Sequence, residues 1–359
     1  MRRSTTTGRR AGFTLVELII VIGIIALLAG LLLQAVVKVK DAGQRTVTRN
    51  EIGQLGVGIE NFKSTYQVTY VPTALILCSD YAAAAQANPT WAPALQDSQQ
   101  YMSKVWPKAN FANRPGPPNP PSPPNPFPPN TLITLDGNQV LVFLLGGIAP
   151  TDNRFTGGGW QGNRSGFLNS PINPFNLFNG VAYEPALIPS AQPPATWARD
   201  PARPKGPFYD FKPEQINSDA HVLDPYKYPY YYFSSKIGND YNFFGIYQPA
   251  LNPTNNPLGF NTRAGYGGVP ANSPLPSGGT SPPVDVPPMH PFVGLDGKFI
   301  NANGFQIISA GKNNLPGPGG WDTVNNVPLR YEAGIGEYNP GGRGGDDQSN
   351  FARGILSGD

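Results

Sequence analysis

Glu17 sits in GFTLVELIIVIGIIALLAG, Gly12 to Gly30, and from Leu18 to Leu33 no side chain is polar. A carboxylate at the centre of a membrane helix costs on the order of 3 kcal/mol, and less near an end. Such a group is retained where a cation meets it, because two paired buried charges avoid much of the penalty each would carry alone. The other reactive side chains are sparse. His221 and His290 are the only histidines and Cys78 the only cysteine. No Ser/His/Asp arrangement, metal-spaced His/Cys set or nucleotide loop stands out, so little material exists for base catalysis. The glycine-rich GGGWQGNRSG, residues 157–166, lacks the lysine and spacing of a phosphate loop and the serine placement of a hydrolase elbow. The expectation is a protein that is not an enzyme. Glycosidase-type carboxylate pairs stay open, since they need no local spacing.

The element that must hold Glu17 is long and oily. Apolar character runs from Phe13 to Val37, about 37 Å of helix at roughly 1.5 Å per residue, against about 30 Å of bilayer hydrocarbon. Arg2, Arg3, Arg9 and Arg10 precede it, and positive flanks stay in the cytoplasm. The body after Val37 is therefore expected outside the cytoplasm. Taking those four arginines from the net charge of +3 leaves −1 on the rest, which excludes an electrostatic footprint for nucleic acid. With one cysteine no intrachain disulfide can form, and Cys78, inside ALILCSDY, reads as a buried inert thiol.

A secretory signal would end in a small-residue cleavage site, which LLAGLLLQAVVK offers only poorly. The basic leader ending in Gly12, then Phe13, Thr14, Leu15 and Glu17 before the Ile/Val/Leu run, resembles the prepilin signal of type IV pilins and type II secretion pseudopilins. The resemblance implies cleavage between Gly12 and Phe13 by a prepilin peptidase that also methylates the new N-terminal Phe13. It implies retention of the helix and assembly with other pilin or pseudopilin subunits on an inner-membrane platform. Glu17 then has its cation, the α-ammonium of Phe13 on a neighbouring subunit, and that pairing fixes the axial stagger. The plainer alternative is a signal anchor whose glutamate snorkels to the interface. Gln34 stands where many members of the family carry proline, so no proline-induced break is expected.

Ile52, Leu55, Ile59, Phe62 and Tyr66 alternate in steps of three and four, which extends the helix outward as an amphipathic stalk with Pro72 its latest end. The chain thus divides into a cleaved leader (1–12), a transmembrane and polymerisation helix (13–37), a stalk (38–70) and an extracytoplasmic body (71–359). In the body, Ala92 to Trp106 has helix-forming composition. The proline-dense tract 113–130 reads as an extended spacer, with a docking motif as the sharper option. LDGNQVLVFLLGG reads as a short buried helix capped by Asp136 and ended by Gly146. The fold class is α+β: a long N-terminal helix packed on a small antiparallel sheet with long Pro/Gly-rich loops.

Two further patches resemble the major pseudopilins. LDPYKYPYYYFSSK, Leu223 to Lys236, resembles their Asp-Pro-Trp-Gly-x-Pro-Tyr-x-Tyr segment through Asp224, Pro225, Pro229, Tyr230 and Tyr232, with Tyr226 and Lys227 replacing tryptophan and glycine. It reads as a turn and a core strand, or as an aromatic platform for sugar. FQIISAGKNN and GGDDQSNF resemble the closing strand and the calcium loop of the same proteins. The resemblance implies calcium, for which Asn313, Asp346, Asp347, Ser349 and Asn350 offer oxygens, unless the stretch is a solvated acidic loop. The expected function is a pseudopilin-like filament subunit of a type II secretion or type IV pilus-like machine. Its expected setting is single-pass in the bacterial inner membrane with the body periplasmic or at the cell surface. The alternative is a membrane-anchored binding module for a polysaccharide or an exported protein.

Overall fold

The computed structural model describes residues 15–78, 80–87, 89, 92–107, 109, 132–147, 167, 205–217, 220–236, 241, 260–261, 269–270, 291–296, 298–313, 317, 321–322, 327–328, 346–352 and 356. The leader with Gly12 and Phe13, the proline tract 113–130, the segment 157–166 and His290 lie outside them. The chain falls into two compact units, Met1–Thr46 and Val47–Asp359.

Helix α1, Leu15–Tyr66, is 52 residues long and passes through Gln34 without a break. The described part of the first unit is the initial portion of this helix, where Arg45 Nη2 and Asp41 Oδ2 pair at 3.0 Å, one turn apart.

In the second unit the same helix changes character. Thr48, Ile52, Leu55, Ile59, Phe62 and Tyr66 are buried, the stripe expected from the sequence with one further member at its start. The helix stops at Tyr66, ahead of the proline, where Gln67 takes a left-handed φ of 53°. Strand β1 (Leu75–Cys78) is followed by α2 (Tyr81–Ala87), α3 (Ala92–Val105), β2 (Leu132–Leu135), α4 (Gly137–Gly146) and a 3₁₀ turn at Pro213–Gln215. Then come β3 (Tyr231–Ser234), β4 (Phe260–Asn261), β5 (Val269–Pro270), β6 (Phe305–Ser309), β7 (Trp321–Asp322), β8 (Val327–Pro328) and β9 (Gln348–Ser349).

Pairing is antiparallel throughout. β1 runs against β2 with Leu75 opposite Leu135, and the central sheet has the order β3-β6-β9 with Tyr231 opposite Ile308 and Ile308 opposite Ser349. Strands expose alternate side chains to opposite faces. Tyr232 and Ile307 therefore enter the main core with α1 and α4, whereas Tyr231, Phe233 and Ile308 enter a smaller cluster with Tyr241, Phe292, Ala310 and Leu356. This explains YYYF, which shows no polar alternation: both faces of the strand are covered.

Helix α4 is buried on every side, as its apolar composition requires. Asp136 caps it through a full capping box: Gln139 N donates to Asp136 Oδ1 at 2.9 Å and Asp136 N donates to Gln139 Oε1 at 3.2 Å. Gly146 ends the helix, as the sequence reading has it, and Gly147 with φ 74° is the C-cap. The helix sits tightly on its neighbours. A methyl at Gly137 would run into the carbonyl oxygen of Tyr232 and lie 3.0 Å from that of Thr73. Both obstacles are backbone, so Gly137→Ala is expected to cost about 2 kcal/mol by overpacking, read from urea unfolding of the full chain in detergent.

Cys78 is buried, and burial raises its thiol pKa, in keeping with an inert group.

Candidate assembly segment and polar sites

Between Leu15 and Val39 every large apolar side chain of α1 is at least 44 % exposed. A stretch with mean hydropathy 2.9 and nothing covering it is what a soluble protein avoids, and it is long and apolar enough to cross a membrane. Glu17 lies in the first turn, where the unsatisfied N–H groups favour a negative charge. The acid thus stands at the one end of the apolar rod where the helix itself stabilises it. The pattern described as the prokaryotic N-terminal methylation motif matches residues 7–33, so it covers the leader's end, Gly12, Phe13, Glu17 and most of the exposed run. The chain carries a prepilin-type N-terminus. No curated protein and no solved structure matches the chain. The prepilin segment therefore rests on its own motif, and the body that follows is read from its geometry.

In that body, the Asp224 turn takes the form its sequence suggested. Asp224 Oδ1 accepts from Tyr226 N and Tyr228 N, each at 2.9 Å, and Lys227 N donates to the Asp224 carbonyl at 2.9 Å. Lys227 adopts φ 72°, so the position where the resembled segment has glycine keeps a left-handed backbone under a lysine. The aromatic run does not form an exposed platform: Tyr230, Tyr231, Tyr232 and Phe233 are all buried.

The five residues put forward for calcium are brought to one region by β6 and β9, but they do not act alike. Asp346 Oδ2 accepts from Asn313 N at 2.9 Å, and Asp347 Oδ2 accepts from Gly317 N at 2.8 Å. The second oxygen of Asp346 is buried without a hydrogen-bond partner. Asn350 belongs to the sheet instead. Its Oδ1 accepts from Ile307 N at 2.9 Å and its Nδ2 donates to the Phe305 carbonyl at 3.0 Å, so the amide clamps β6. Among the described residues, no three His, Cys, Asp or Glu side chains form a metal-holding group. Asp346 and Asp347 place two adjacent carboxylates that a cation would neutralise, while both ends of the Asn350 amide are engaged by the β6 backbone.

Two buried polar clusters carried no sequence signal. His221 Nε2 lies 2.7 Å from Asp136 Oδ2, both nearly inaccessible, across a separation of 85 residues. Beside them Asn138 accepts from Val222 N at 2.6 Å and donates to the carbonyls of Val222 and Tyr230. The second cluster joins Asp224 to Ser309 Oγ at 2.6 Å, with Glu51 of α1 nearby. Local patterning cannot reveal such partners, because loop closure brings them together.

Proposed function

We propose that the chain is a pseudopilin-like structural subunit of a type II secretion or type IV pilus-like filament. It is cut by a prepilin peptidase after Gly12, methylated at Phe13 and assembled through α1 in the inner membrane, with the body outside the cytoplasm. The observation that carries this reading is the coincidence of the methylation motif with an uncovered apolar helix whose first turn holds Glu17. In the assembled helices the α-ammonium of Phe13 on one subunit meets Glu17 on the next, which lowers the cost of keeping both in hydrocarbon.

A non-catalytic role accords with the buried acids and the described histidine. Asp136 and His221 are spent on each other and on a helix cap, and Asp224 on a turn. The test is the mature N-terminus by mass spectrometry of the protein purified from its own membranes. The expected species begins at N-methyl-phenylalanine 13, and an intact leader overturns the reading.

A further inference from the structure

We propose that the outer face of α1 in the body seats a second copy of this chain, with Val57 of one subunit filling the hollow over Gly53 of its neighbour. The inference rests on the Phe13–Glu17 pairing of the reading above and adds a contact which that pairing alone does not supply. On the side of α1 turned away from the core, Val47, Asn50, Gln54, Val57, Asn61 and Ser64 are exposed and recur in steps of three and four. That is the spacing of a packed seam, and a solvated helix face ordinarily carries charges. None of these six side chains is charged. The acids beside them are engaged, Glu60 with Lys63 Nζ at 2.9 Å and Glu51 with Tyr230 Oη and Gln215 Nε2 at 2.7 Å. Val47 and Val57 stand with Leu295 as the large apolar side chains exposed in the second unit among the described residues, Val57 at 60 %.

A groove runs between this face and the segment 208–210, with Arg49 on the helical wall and Asp210 on the other. Within it, a methyl added to Gly53 would meet nothing within 4 Å. The register identifies the occupant. Placing Phe13 of one subunit level with Glu17 of the next offsets their helices by four residues, about 6 Å at roughly 1.5 Å per residue. Helix α1 is unbroken from Leu15 to Tyr66, so it carries the same offset into the body. Residues four apart share one face of a helix. Val57 of the subunit that supplies Glu17 therefore falls on Gly53 of the subunit that supplies Phe13, and Gln54 of the first falls on Asn50 of the second. A branched apolar side chain enters the hollow, and beside it two amides meet, each both donor and acceptor. Without the offset, Gly53 would face Gly53 and the hollow would stay empty.

Cysteine crosslinking of the full chain in its own membranes tests this, with the buried Cys78 as a silent background. Two tagged copies are co-expressed, one carrying Gly53→Cys and the other Val57→Cys. Oxidation is expected to join them into a mixed dimer at least tenfold more abundant than the dimer of either variant expressed alone, because a disulfide needs its Cα atoms within about 7 Å. Like-with-like dimers as abundant as the mixed one would place the faces in register and overturn the proposal. So would the absence of any crosslink in membranes where the mature N-terminus is Phe13 and filament forms, an outcome that leaves the proposed function standing. An uncut leader brings down both. As a second measurement, Gly53→Leu fills the hollow in advance. Sheared filament is expected to fall about tenfold with an unchanged urea midpoint, since the added side chain enters open space. Undiminished filament in that variant refutes the seat.

Discussion

Glu17→Ala is expected to be cut and methylated at Phe13 like the wild type and then to fail at assembly, with sheared or crosslinked filament reduced at least a hundredfold. The proposed peptidase site, Gly12–Phe13, precedes Glu17 in the sequence, and alanine preserves both helix propensity and the apolar run. What changes is the next subunit's amine. Without a carboxylate to meet, the methylated ammonium of Phe13 enters hydrocarbon unpaired, and removing one partner of a buried pair costs about 3–5 kcal/mol. At about 1.4 kcal/mol per factor of ten, that range corresponds to a loss of about two to three and a half orders of magnitude in the affinity of subunit addition. Glu17→Gln should also fail, because an amide supplies dipole but not charge. Glu17→Asp should restore part of the assembly. Filament at wild-type level in the alanine strain would remove the pairing from the account.

The largest effect on the body is expected from Asp136→Ala. One oxygen of this carboxylate caps α4 and the other meets His221 at 2.7 Å, so a single truncation undoes two structures. Loss of the cap costs about 1 kcal/mol. Depriving the buried ring nitrogen of its carboxylate adds about 2–3 kcal/mol, since a buried polar group loses water without recovering a bond. Together the change is expected to destabilise the full chain by about 3–4 kcal/mol in urea titration. Asp136→Asn, which keeps an acceptor for Gln139 N, should cost clearly less. In a double-mutant cycle with His221→Gln, a coupling below about 0.5 kcal/mol would show that the pair contributes nothing beyond the cap.

How far the sequence could be read depended on how local each signal was. The stripe Ile52, Leu55, Ile59, Phe62 and Tyr66 is buried because helical spacing alone puts those residues on one side. Asp136 was legible as a cap because a capping box is written within four residues. The β3 and β6 strands were legible through YYYF and FQIIS. The partners were not. His221 finds Asp136 from 85 residues away, and Ser309 finds Asp224 across the same interval. The partners of Asn350 were hidden for the same reason: the resemblance offered it as an oxygen donor to calcium, and the β6 backbone engages both ends of its amide. The end of the stalk was set by packing rather than by Pro72, since the chain turns at Gln67 and buries Val68, Tyr70 and Val71.

If the body is exported as proposed, helix α4 bears on how the chain is threaded through a translocation pore. VLVFLLG is nearly as greasy as the anchor, and an exported polypeptide carrying two greasy stretches risks stalling at the second. Its ten residues, Gly137–Gly146, cover only about 15 Å, half of what a lipid bilayer demands, and Asn138 and Gln139 occupy its opening turn. The segment is thus too short to be left behind sideways in lipid. It can be delivered across and find shelter only once the folded interior has closed around it.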